Sequence, residues 1–298
     1  MVSRTKKRLL GPGLRVLVMA TAILAVAVIS GLHFTASAGS PIVLYNTIPF
    51  PIPGNVASEG PEAYAFVQLG DGLSLAGPTG LTLDQVSVVM SSWACTSGNW
   101  YTQGTCVTTR GATYTLPITL NIYSVATGVS LEGKPAPVPG TLIATATQSF
   151  ALPYRPSADS VNCNGSAWYD PFVQICYNGL AAPITFNLSS LRVRLPKQII
   201  VGVEYNTSDY GPNPIGDNTA CHATTQGCFY DSLNISTDSN NGYYFPIGSV
   251  LNVTGIFVDY VNSANSCAGS SALTGTFGLD ASPGCWTGYH PEIQVTAY

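Results

Sequence analysis

Apolar and polar residues alternate along most of the chain with a period of two, the spacing of strands buried on one face. Val86, Val88 and Met90 fall on one side of residues 83–93, Ile118, Leu120 and Ile122 on one side of 117–125, and Ile184, Phe186 and Leu188 on one side of 183–188. Residues 198–205 place Ile199, Val201, Val203 and Tyr205 together. Leu251, Val253, Ile256 and Val258 line a further run with Gly255 as a bulge, and Ile293 and Val295 belong to the last. Strands are also predicted at 42–47, 64–69, 142–150 and 172–177. Turns such as Pro51-Ile52-Pro53-Gly54, Gly77-Pro78, Pro139-Gly140 and Pro283-Gly284 separate them. About ten strands with no composition break between them predict an all-β fold, a single large jelly-roll-like β-sandwich.

The N-terminus follows another rule. Arg4, Lys6, Lys7, Arg8 and Arg15 precede an uncharged, mostly apolar run over 16–29, and Ala36-Ser37-Ala38 has the small-x-small form of a cleavage site. This predicts a signal helix within residues 1–38 and an exported domain over 39–298. The competing expectation is a retained anchor, since 16–34 approaches the roughly 20 residues that cross a bilayer. Ser30, Gly31 and His33 interrupt that run, which favours cleavage and a mature chain that leaves the membrane.

Cysteine usage points to the same compartment. Cys95, Cys106, Cys163, Cys176, Cys221, Cys228, Cys267 and Cys285 fall as four close couples, spaced by 11, 13, 7 and 18 residues. An even count in an exported chain reads as disulfides, and the couples predict sequential pairing: 95–106, 163–176, 221–228 and 267–285. Each couple lies in or beside a Gly/Ser/Asn-rich loop (96–111, 157–170, 208–227, 262–275), so the expectation is a rigid sandwich with stapled surface loops. Zinc is the rival, but no C-x-x-C spacing occurs.

Charge narrows the partners. Charged residues are 9% of the chain against 46% apolar and 10% aromatic. Removing residues 1–38 removes five of the eleven basic residues and leaves 6 Lys/Arg against 15 Asp/Glu, a net charge of −9. That excludes the basic face a nucleic acid needs.

Catalytic chemistry is sparse in the sequence. Beyond residue 38 the only imidazoles are His222 and His290, both read as loop residues making ordinary hydrogen bonds. There is no G-x-S-x-G elbow. Paired carboxylates for glycoside hydrolysis have few strand-borne candidates, namely Glu204, Asp259 and Glu292. Glu204 points opposite to Val201, Val203 and Tyr205 by alternation and is the acid/base candidate. No cofactor is expected. A structural calcium is the one ion considered, held by Asp209, Asp217 and Asn218 in a Gly/Pro-rich loop.

Aromatic residues carry the main functional expectation. Trp93, Trp100, Tyr101, Trp168, Tyr169 and Trp286 lie within a few residues of a cysteine. The adjacent pairs Trp100-Tyr101 and Trp168-Tyr169 are candidate ligand platforms, flat apolar faces with a polar handle, of the kind that binds sugars. Packing over the disulfides is the alternative, and Trp93, in the alternation of its strand, is expected to be structural.

The stretches 86–95 (VSVVMSSWAC), 117–123 (PITLNIY), 153–159 (PYRPSAD), 230–234 (YDSLN) and 285–289 (CWTGY) resemble those of uncharacterised exported bacterial β-sandwich proteins. The resemblance implies an exported sandwich over most of the chain beyond the signal, and no residue role. The expectation is a secreted or surface-held, non-enzymatic binding module that recognises an extracellular glycan or envelope component. A polysaccharide hydrolase is the first alternative. The second is a structural envelope or matrix component pairing through an edge strand at 42–47 or 292–297.

Overall fold

A computed structural model describes residues 40–61, 66–98, 100, 104–205, 233–237, 247–260, 275–282 and 286–298. Ser40–Tyr298 forms one compact unit, and all the strands and core residues below lie within it. In chain order the strands are β1 (Ile42–Asn46), β2 (Ser58–Glu59), β3 (Phe66–Ser74), β4 (Leu83–Ser92), β5 (Thr113–Val129), β6 (Pro135–Pro153), β7 (Trp168–Asp170), β8 (Ile175–Tyr177), β9 (Leu180–Asn187), β10 (Gln198–Tyr205), β11 (Leu233–Ser236), β12 (Ser249–Val250), β13 (Ile256–Tyr260), β14 (Gly278–Asp280) and β15 (Ile293–Ala297).

The strands build an antiparallel β-sandwich. One sheet runs β1-β15-β4-β11-β2, with β9 on β4. The other runs β14-β13-β3-β10-β5-β6, with β12 on β3. The core lies between them, as the alternation requires. Val86, Val88, Met90, Ile184, Phe186, Ile293 and Val295 of the first sheet face Leu69, Leu73, Ile118, Leu120, Ile122, Val201 and Val203 of the second. The outward face of the first sheet is a polar ladder, with Gln85 donating to Asn187 (2.9 Å), Ser87 bonded to Thr185 (2.8 Å) and Ser91 donating to Asn55 (2.6 Å).

Several sequence expectations shift. Residues 172–177 are a turn followed by the short β8, and β7 is the strand that pairs with it. Gly255 precedes β13 and forms no bulge inside it; a side chain there would run into the Asp280 carbonyl, so glycine permits the close approach of the two strands. Strand β15 is flanked by β1 and β4, so 292–297 offers no edge; β1 is the outer strand of that sheet. The second sheet is also covered on its far side, where Ile200, Phe257 and Leu279 pack with Tyr123 and Phe277. Simple two-faced alternation in 198–205 did not anticipate that layer.

Candidate functional site

The loop after β4 and the loops around β7 and β8 meet at one end of the sandwich. Cys95–Cys106 and Cys163–Cys176 are disulfides with Cα atoms 5.5 and 5.8 Å apart, as the couple spacing predicts. Cys221, Cys228, Cys267 and Cys285 lie outside the described residues. The segment after β6 stitches the two staples together. Arg155 N–H donates to the Ala94 carbonyl (3.0 Å) and Ala158 N–H to the Cys106 carbonyl (2.9 Å). The Arg155 guanidinium donates to the Ser166 carbonyl, and the Ser166 hydroxyl to the Trp100 carbonyl. Arg155 is fully buried, and burial lowers its guanidinium pKa to about 10.

That frame assembles the aromatics around Gly179. Trp93 and Trp100 meet edge to face at 4.8 Å, and Trp168 lies against Tyr177 at 5.3 Å. The Trp168 indole N–H donates to the Gly179 carbonyl (2.6 Å), while the Trp93 indole N–H donates to the Ser91 hydroxyl (2.9 Å). A side chain at Gly179 would strike the Trp93 ring, and one at Gly54 would strike Tyr177. Glycine at both positions lets the rings close in.

The sequence-predicted ligand pairs therefore separate. Trp168 is 7% exposed, its ring inside this cluster and its N–H satisfied, so it is a packing residue and no platform. Trp100 and Tyr169 keep partly exposed faces. Tyr101 lies outside the described residues, as do the proposed calcium ligands Asp209, Asp217 and Asn218. Among the described residues no group of three or more His, Cys, Asp or Glu is placed to hold a metal.

Two arrangements of ionisable groups were not legible as units. Asp71 lies on the inward face of β3 between Leu69 and Leu73, and its Oδ2 accepts from His290 Nδ1 at 2.8 Å, with both side chains buried. Burial raises the Asp71 carboxyl despite the His290 donor and the Gly72 N–H on Oδ1 (2.7 Å). The pair joins β3 of one sheet to the segment entering β15 of the other. His290 is thus a buried partner of a carboxylate, more constrained than an ordinary loop histidine. A charged residue at a core-facing position of an alternating strand was the available signal.

The second arrangement lies on the far side of the second sheet. Gln68 is in register with Glu204 on one neighbour and Asp259 on the other, so the two carboxylates share one rung. With strands about 4.8 Å apart, their backbones are roughly 10 Å apart. Asn121 Nδ2 donates to Glu204 Oε2 (3.2 Å), and Thr145 donates to Asn121 Oδ1 (2.8 Å). Burial raises the Asp259 carboxyl, N–H groups of Thr276 and Gly275 lower it, and nearby Glu204 raises it. Glu204 is exposed and Asp259 half-buried. Glu292, the remaining candidate, is buried in the residue just before β15.

No protein-family description, no curated protein and no solved structure matches the chain.

Proposed function

We propose that the chain is an exported binding module of jelly-roll-like build, delivered by a signal over residues 1–38, that recognises extracellular glycan with the stapled end of its sandwich. One observation carries this reading. Trp100 and Tyr169 keep partly exposed faces on a frame held by two disulfides and the buried Arg155, so their orientation is set before any ligand arrives. Preorganised aromatic faces bind with little ordering cost, and the exposed amides of Asn162, Asn164 and Asn178 stand nearby in sequence to bond hydroxyls. The disulfides are compatible with an extracellular protein. A glycan array with the Ser40–Tyr298 unit tests the reading. Specific binding lost in Trp100→Ala supports it; no binding, or binding indifferent to that change, overturns it.

A hydrolase is the second reading, favoured by the Glu204–Gln68–Asp259 rung. Carboxyl groups about 5–10 Å apart span the separations of retaining and inverting glycosidases, and the raised Asp259 suits the proton donor. Hydrolysis of a polysaccharide panel that disappears in both Glu204→Gln and Asp259→Asn supports this reading, and inactivity of the unaltered protein removes it.

A further inference from the structure

Among the described residues the β7–β8 hairpin forms a two-stranded sheet of its own, and together with the loop before it exposes large apolar side chains. Phe172 is 96% exposed, Val161 90%, Val173 53% and Ile175 48%. Singly exposed apolar residues are ordinary, but these four fall within fifteen residues of chain. Their display is built in. The Cys163–Cys176 bridge closes the segment. Asp170 Oδ1 accepts from Phe172 N–H (2.9 Å) and the Asp170 carbonyl from Gln174 N–H (2.8 Å), with Gln174 in the left-handed region at φ 59°. Trp168 anchors the foot of the hairpin under Gly179.

The stretch around the tip carries no cation and two carboxylates. No Lys or Arg occurs between Arg155 and Arg192, and the only acids in that stretch are Asp159 and Asp170. Both bond their own turns, Asp159 taking the N–H groups of Val161 and Asn162 at 3.0 Å.

We propose that this tip inserts into a neutral, zwitterionic lipid surface. Four partly exposed side chains offer on the order of 400 Å², half of the roughly 800 Å² per partner that a stable pair of copies needs. A bilayer sets no such minimum and needs no complementary shape to receive a convex tip. Tyr169 and Tyr177, half-buried at the hairpin foot, are the amphipathic residues that sit at headgroup level. The charge of 6 Lys/Arg against 15 Asp/Glu beyond residue 38 opposes anionic lipid. This departs from the sequence expectation that the mature chain leaves the membrane altogether. It shares Tyr169 with the glycan reading, whose own test rests on Trp100, so the two can fail separately.

Flotation of the Ser40–Tyr298 unit with phosphatidylcholine vesicles tests it, the unit being used so that the apolar run at 16–29 does not contribute to the readout. The unit is expected to float at millimolar lipid, and the Phe172→Ser/Val173→Ser variant to lose binding at least tenfold with an unchanged melting temperature. Phosphatidylserine in the vesicles weakens the binding. Failure of the unaltered unit to float overturns the proposal, as does equal flotation of the variant. A dimer in sedimentation velocity that the variant abolishes, without flotation, assigns the tip to a second copy instead.

Discussion

Replacing His290 with alanine isolates the buried Asp71–His290 hydrogen bond, which crosses the sandwich. In the native protein Asp71 and His290 side chains are 1% and 8% exposed and 2.8 Å apart. Removing one partner of a buried pair costs about 3–5 kcal/mol, because the remaining carboxyl must either stay charged without its donor or take up a proton to stay in the core. At about 2–4 °C per kcal/mol for a domain of this size, the melting temperature at pH 8 falls by roughly 6–20 °C. The loss depends on pH with a definite sign. Burial already raises the Asp71 carboxyl with His290 donating to it, and removing the donor raises it further. The folded variant then holds a proton on Asp71 that the unfolded chain has released, so its stability falls as pH rises above the ordinary carboxylate range. Near pH 4.5, close to the ordinary carboxylate range, folding takes up less of a proton onto Asp71, and the loss shrinks toward the roughly 1–2 kcal/mol of a missing hydrogen bond. Chemical denaturation at the two pH values measures both losses. A loss below about 1 kcal/mol at pH 8, or an equal loss at both, refutes the reasoning. Asp71→Leu combined with His290→Leu removes both buried polar groups and is expected to recover most of the stability at pH 8.

Burial pushes the Glu59 carboxyl up to about 7, so native stability declines between roughly pH 4.5 and 7 and Glu59→Gln flattens that decline. Because Glu59 is only partly buried, the gain at pH 8 is about 1 kcal/mol after solvent screening; parallel melting curves across that window contradict the assignment. Trp168→Ala costs about 3 kcal/mol or more as a core truncation, read by hydrogen exchange in β7 and β8, and a loss under 1 kcal/mol returns Trp168 to the surface. Non-reducing peptide mapping is expected to recover Cys95–Cys106 and Cys163–Cys176, along with the sequentially expected Cys221–Cys228 and Cys267–Cys285; a bridge between two couples breaks the local-staple picture.

The period-two pattern and the spacing of the cysteines by themselves determined the all-β class, the inward residues of β4, β9 and β10, and the two disulfides, because alternation and short loop closure are properties of neighbouring residues. Lateral order is a matter of distant partners. Only the fold placed 292–297 between two strands and brought His290 to Asp71 across 219 residues. The aromatic loops show the division most sharply. Proximity to cysteine marked both Trp100 and Trp168, yet a tryptophan beside a disulfide can face either way. Tertiary structure decided the matter through Gly54 and Gly179, whose missing side chains leave room for the rings, and Trp168 turned inward while Phe172, four residues on, was left in water.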